Sequence, residues 1–350
     1  MPCKHLSWSV LVLLALPILA ISGCTYQPVT GGSGVVIAGF EPELPEVYAG
    51  EEVKFRLLIK NEGSAEAKSV YATVIGIDDA WCPYMEGKCE KSPKSESPEK
   101  LPNEEECRYW LGTGESPGTG FTLLAPNPFM GTSGSQHICT WTYKAPPIPK
   151  DFTMTYTPTA RMYYSYKSYI SKLITFGSSL ELRNLQDKGG SLTADTKSQT
   201  SGPIVLDILT KGPIRYWQEE KQVTFPLEIT ISNAGSGMAC AYPGRNTEGG
   251  ENMMWACKIQ SGEEPKNKVK IKIDFGGADS QMKLSTDCTD FQSGKTISLF
   301  QFKSNTFVCD VTAKDLPLIA PIQRIINVAA EYEYYIDKET TIKVIGRDIP

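Results

Sequence analysis

The sequence predicts an all-β protein: an N-terminal signal or anchor segment followed by two tandem antiparallel β-sandwich domains. Three observations carry this. Apolar residues alternate with polar ones in short runs, which is the pattern of a strand with one buried face. Gly, Pro and Asn separate the runs, as turns require. The same landmarks also occur twice in the 350 residues.

At the N-terminus Lys4 and His5 precede a mostly apolar run from Leu6 to about Ile21, then Ser22, Gly23 and Cys24. This is the layout of a signal peptide. The stretch Leu19-Ala20-Ile21-Ser22-Gly23-Cys24 resembles a lipoprotein signal, which implies cleavage before Cys24 and a lipid on its thiol. An uncleaved anchor is the competing expectation, because the run approaches the roughly 17 residues of a minimal membrane span; simple secretion is the third. The expected location is the outer face of the cell membrane, with the membrane itself as one partner. Residues 1–23 are the signal or anchor. Residues 24–34, rich in Gly, Ser and Pro, form a tether.

The first domain is expected over 35–182. Val53, Phe55, Leu57 and Ile59 alternate and end at Asn61-Glu62-Gly63; Val70–Ile75 follows, and Ser171–Thr175 is its expected last strand. A long insertion from about Trp81 to Gly134 needs stapling to be compact. Residues 183–202, from Asp187-Lys188-Gly189 to Ser201-Gly202, form a polar linker. The second domain, 203–350, repeats the plan: Phe225, Leu227, Ile229 and Ile231 end at Asn233-Ala234-Gly235, an offset of 233 − 61 = 172. Strands are expected at Val269–Ile273 and Thr340–Val344, and the main insertion falls at about Met238–Cys257. Cys139 and Cys309 each open a Pro-containing segment leading to a tyrosine cluster, at an offset of 309 − 139 = 170. Landmarks that keep so similar a spacing indicate a duplicated domain.

Besides Cys3 and Cys24, eight cysteines divide evenly: Cys82, Cys89, Cys107 and Cys139, then Cys240, Cys257, Cys288 and Cys309. Even numbers in an exported chain predict disulfides. Four cysteines permit three pairings, and neighbours in chain order is the expected one. A zinc site in each half is the alternative, but neither quartet has a CxxC pair. No metal is expected.

Glu46-Val47-Tyr48-Ala49-Gly50-Glu51-Glu52-Val53, the strand to Ile59, Lys60-Asn61-Glu62-Gly63 and Ala65-Glu66-Ala67 resemble the immunoglobulin-like domains of the cell-adhesion-related bacterial (CARDB-like) type and their archaeal surface-layer-like relatives. The resemblance covers about 45 residues of the first copy; in the second it extends only to the strand and Asn233-Ala234-Gly235. It implies an immunoglobulin-like fold and roles in stalks, adhesion and extracellular scaffolding. The family pattern lacks the cysteine quartets.

A formal net charge of −5, with no basic patch interleaved with aromatics, argues against a nucleic-acid partner. Catalysis most often recruits histidine, and only His5 and His137 exist. A His137/Cys139 nucleophilic pair is conceivable but has no evident orienting group. No GxSxG, phosphate-loop or HExxH motif occurs. The expectation is a protein with no catalytic residues and no cofactor. Asp274, Asp279 and Asp287 offer oxygens for calcium, without EF-hand spacing. Tyr163, Tyr164, Tyr166 and Tyr169, with Tyr332, Tyr334 and Tyr335, serve either as strand packing or as a sugar-binding face. Trp81, Tyr84, Tyr109 and Trp110 in the insertion are the candidate binding anchors, because pinned loops present aromatic residues at low entropic cost; the competing role is a local mini-core. The leading reading is a non-enzymatic surface lipoprotein acting as a scaffold, adhesion or assembly module, with a surface protein or glycan as partner. The alternatives are an extracellular carbohydrate- or polymer-binding protein, and a filament subunit that donates Gly34–Ala38 to a neighbour's sheet.

Overall fold

The computed structural model describes residues 34–77, 80–85, 88–89, 107, 121–190, 195–217, 220–241, 266–278, 280–301, 303–317 and 320–348, with side chains withheld at 82–85, 88–89 and 241. The signal segment and Cys24 lie outside these. Among the described residues, no helix is long and apolar enough to cross a membrane.

The fold is all-β, as the alternation predicts. The first copy contributes β1 (Val35–Pro42), β2 (Glu46–Tyr48), β3 (Glu52–Asn61), β4 (Ala67–Ile75), β5 (Cys82–Met85), β6 (Lys88–Cys89), β7 (Phe121–Leu123), β8 (Gln136–Lys144), β9 (Thr153–Tyr156) and β10 (Thr159–Ser178). Helix α1 (Ser179–Asp187) follows, its first turn capped by the Ser178 hydroxyl accepting from the Glu181 amide. Next comes β11 (Thr196–Gln199). The second copy runs through β12 (Ile204–Leu209), β13 (Ile214–Tyr216), β14 (Val223–Asn233), β15 (Met238–Ala241), β16 (Lys268–Asp274), β17 (Met282–Leu284), α2 (Asp290–Ser293), β18 (Lys295–Ser298), β19 (Ser304–Ala313), β20 (Ile322–Glu339) and β21 (Ile342–Ile345).

The expected strand over Ser171–Thr175 and the tyrosine cluster before it are one continuous strand, β10, and β20 is its counterpart. The two pair antiparallel along 18 residues, from Thr159↔Glu339 to Phe176↔Ile322. They form the spine of a nine-stranded sheet in which β4 and β7 continue beyond β10 and β16 and β18 beyond β20. A five-stranded sheet, β1-β3-β8-β5-β6, serves the first copy and a four-stranded sheet, β12-β14-β19-β17, the second. The burial alternation follows the sequence pattern: Val53, Phe55, Leu57 and Ile59 are buried while Glu52, Lys54 and Arg56 are exposed. One apolar cluster runs through both copies.

The last strand of each copy adds to the other copy. β21 inserts between β2 and β9 of the first copy, parallel to one and antiparallel to the other, and buries Ile342 and Val344. Reciprocally, the end of β10 pairs in parallel with β13 of the second copy, Phe176↔Ile214 to Ser178↔Tyr216. The linker is likewise built in. β11 pairs with β10 over Ile170–Leu173, and Asp195 makes an ion pair with the buried Lys172 (Nζ to Oδ2, 3.6 Å). Lys172 also donates to Thr210 Oγ1 at 2.7 Å, and Asp195 accepts from the Thr175 amide at 3.2 Å.

Candidate functional site

Alternation along β10 and β20 divides the tyrosines between the two faces of the spine. Tyr164, Tyr166, Tyr332 and Tyr334 point inward and are buried. They form a near-symmetric quartet: Tyr164–Tyr166 and Tyr332–Tyr334 meet edge-on at 85° and 72°, while Tyr164–Tyr334 and Tyr166–Tyr332 are tilted at centroid distances of 5.7 and 6.2 Å. Such aromatic pairs add to the energy of area burial.

Two members of the quartet hold the Asn-x-Gly turns. Tyr166 accepts from the Ala65 amide at 3.1 Å, beside Asn61, whose Nδ2 donates to the Ala65 and Leu123 carbonyls at 2.9 Å. Tyr334 accepts from the Gly237 amide at 2.9 Å and donates to Asn233 Oδ1 at 2.8 Å; Asn233 Nδ2 donates to the Gly237 carbonyl. Glycine is required at 63 and 235 because a Cβ there would stand 2.0 Å from the Tyr166 hydroxyl and 2.4 Å from that of Tyr334. Burial raises the pKa of all four phenols, that of Tyr334 to about 12 and those of Tyr164 and Tyr332 well above the ordinary value.

On the opposite face Tyr163 stacks on Tyr71 (4.9 Å, 11°) and contacts Tyr335 at 5.7 Å. Arg161 covers Tyr335 at 4.6 Å from its centroid and binds Asp337 with two parallel bonds of 2.7 Å. This is a charge-assisted fork, and that bond to Asp337 raises the guanidinium pKa. Burial, then the neighbouring Tyr163, raises the phenol of Tyr71. Tyr163 is buried, whereas Tyr71 and Tyr335 are half-buried. This face is the candidate site: three aromatic rings in a row, with a fixed cation and a carboxylate at one end. Tyr71 and Arg161 were not among the residues the sequence singled out. Arg161 shares odd parity with Tyr163 and was accessible to that argument, but the pairing of Tyr71 with Tyr163 across strands was not.

The other expected positions fall elsewhere. Trp81 is no surface anchor: it is 3% exposed, packed against Phe55 and edge-on to Tyr156 (5.2 Å, 90°), because the strand entering the insertion turns it into the first-copy core. Tyr109 and Trp110, the side chain of Tyr84, and Cys257 lie outside the described residues, as do the side chains of Cys82 and Cys89. Cys107 is bonded to Cys139 and Cys288 to Cys309, neighbours in chain order; Cys240 is also disulfide-bonded. Cys107, His137 and Cys139 bring their ligand atoms within 4.8 Å of one another, but both sulfurs are consumed by the bridge. The same bond removes the thiol that a His137/Cys139 nucleophile requires, and His137 instead packs on Phe121 at 4.3 Å. Asp274 accepts from the Gly276 amide and Asn327 Nδ2. Of Gly34–Ala38, the segment considered for strand donation, Val35–Ile37 pair within their own chain, Val35↔Asn61 to Ile37↔Ile59.

No family model matches the chain, and no curated protein does. Among solved structures the chain is similar to the Enterococcus faecalis MSCRAMM ACE, described as binding its ligands by the collagen Hug Model, at 9% identity over 92% of this chain and 99% of that one, with a TM-score of 0.17. The collagen adhesin CNA from S. aureus matches at 9% identity over 90% and 94% of the two chains, with a TM-score of 0.10. The collagen-binding domain of the Erysipelothrix rhusiopathiae surface protein RspB matches at 9% over 92% of each, with a TM-score of 0.08. At these scores the likeness carries no argument. The fold assignment rests on this chain's own strands.

Proposed function

We propose that the chain is an exported surface protein without a catalytic role, held to the membrane through Cys24 or an uncleaved anchor and acting as a scaffold, adhesion or assembly module. The observation that carries this reading is the disulfide bonding of Cys107 to Cys139 and of Cys288 to Cys309, with Cys240 also bonded, in an all-β body that follows a lipoprotein-like signal. Disulfides persist in oxidising compartments, and the interleaved last strands support a rigid display body. The repeats are assigned to 35–182 and 203–350, with 183–202 joining them.

Intact mass of the protein taken from membranes, before and after reduction and alkylation, tests this. A chain beginning at a lipid-modified Cys24, with thiols that appear only on reduction, is the expected result. A full-length chain with an unmodified Cys24 and free thiols overturns both the lipid and the disulfide assignments.

A second reading is favoured by the aromatic row. Tyr71, Tyr163 and Tyr335, flanked by Arg161 and Asp337, suit a carbohydrate or other polymer that stacks on rings and bonds to fixed charges. Binding on a glycan array that disappears in Tyr335→Ala supports it. Binding equal in wild type and variant assigns the tyrosines to packing.

A further inference from the structure

A hairpin joins β7 to β8 and ends in an apolar tip. Its arms meet where the Ser135 amide donates to the Leu124 carbonyl at 3.0 Å and the Leu124 amide to the Ser135 hydroxyl at 3.1 Å. They meet again where Asn127 and Thr132 exchange backbone bonds of 3.0 and 3.1 Å. At the turn the Asn127 side-chain oxygen accepts from the Phe129 and Met130 amides at 3.1 and 3.2 Å, and Gly131 supplies the left-handed conformation (φ 65°) that closes it. The turn so braced leaves Phe129 99% exposed and Met130 76%, with Leu124 on the arm exposed as well.

Single exposed apolar residues are ordinary on a protein surface. This group differs in three respects. No Asp, Glu, Lys or Arg occurs between Glu115 and Lys144, although 21% of the chain is charged, so the hairpin can leave water without stripping a charge of its hydration. The charges beside its base are matched, Lys60 with Glu62 at 3.2 Å and Lys68 with Glu66 at 2.7 Å. The hairpin also springs from the end of the five-stranded sheet at which β1 begins: Val35 pairs with Asn61, the Asn61 amide donates to the Ser135 carbonyl at 3.0 Å, and a Cβ at Gly134 would stand 1.9 Å from the Asn61 carbonyl oxygen. Only residues 25–34 separate this end from Cys24, a reach of no more than about 40 Å.

We propose that Phe129 and Met130 insert into the lipid surface of the membrane, docking the body at a second point besides the anchor. This rests on the membrane-held reading above. Attachment through the N-terminus confines the tip to within a short chain's reach of lipid and raises its effective concentration there. Interfacial binding grows with the apolar area buried, and under that confinement an area too small to hold a free protein suffices. The bracing by Asn127 and Gly131 means that no loop has to be ordered on insertion. Phe152, 65% exposed, follows the opposite end of β8 and stays in water.

The test uses the full mature chain with phosphatidylcholine vesicles that carry a photoactivatable group on their acyl chains. Flotation with the vesicles reports anchoring, and mass mapping of lipid adducts reports docking. Adducts at Phe129 and Met130 are expected at least tenfold above those at Phe152. The Phe129→Ser, Met130→Ser variant should keep its melting temperature, float, and carry no adduct in the hairpin; the wild-type adducts decide even if that variant is destabilised. A chain that floats with its tip labelled no more than Phe152 overturns the proposal, leaves the anchor standing and assigns the tip to a protein partner. Tip adducts in the wild type with loss of flotation in the variant uphold the tip and remove the anchor. A chain that neither floats nor is labelled at the tip overturns both.

Discussion

Val344→Ala isolates the exchange of last strands. Val344 is fully buried on β21, which belongs to the second copy in sequence but to a sheet built from β2 and β9 of the first. The substitution removes two methyl-sized groups, worth about 0.8 kcal/mol each, so about 1.6 kcal/mol is lost before any term for the cavity left behind. At about 1.4 kcal/mol per factor of ten, the opening equilibrium of this small sheet rises roughly fifteenfold. The amides that report it are Ala49, which donates to the Ile345 carbonyl at 2.8 Å, and Gly346, which donates to Phe152 at 2.8 Å. Hydrogen exchange should accelerate at Ala49 and across Thr153–Tyr156, far away in sequence, while the β14–β19 amides keep wild-type rates. Faster exchange confined to second-copy strands, with Ala49 unaffected, refutes the strand exchange.

Three further outcomes follow from the same contacts. The buried phenols have pKa values raised above the unfolded value of about 10, so their contribution is intact below pH 10 and is lost as pH rises from there through the folded values. Each phenol gives up at most about 1.4 kcal/mol for every pH unit between its unfolded and its folded value, against a domain stability of about 5–15 kcal/mol. Part of the phenolate absorbance of the sixteen tyrosines at 295 nm should therefore rise only together with loss of circular dichroism at alkaline pH, and ionisation of every tyrosine with the fold intact contradicts this. Replacing Cys288 and Cys309 by Ala should cost about 3 kcal/mol, from the loop of 21 residues, seen as a lower urea midpoint; an unchanged midpoint in the oxidised protein counts against the bridge as a staple. Asp195→Ala leaves Lys172 buried without its counter-charge and should cost about 3 kcal/mol. Asp195→Asn, which keeps the hydrogen bonds, should cost less in thermal denaturation, and equal losses argue against a charge effect.

Legibility divides along the range of the interactions. The strands beginning at Val53 and Phe225 and their Asn-x-Gly ends could be read, because alternation and turn chemistry are local properties of the chain. The outer site was half legible. Parity along β10 separates Tyr163 and Arg161 from Tyr164 and Tyr166, yet the tyrosines were grouped as one cluster, and the partnership with Tyr71 depends on strand register. For Trp81 the sequence leaves a binding anchor and a mini-core role open, and its enclosure by Phe55 and Tyr156 depends on tertiary packing.

The sequence by itself determined the all-β class, the alternation of the strands at Val53 and Phe225, and the even division of cysteines. Only the tertiary structure decided that β10 and β20 join the copies in one sheet, that β21 and the end of β10 cross to the opposite copy, and that the linker residues Asp195–Gln199 are part of the fold. A strand's buried face is written in its own residues. Its neighbour is chosen by which edges meet once the whole chain has closed, and no local pattern encodes that choice.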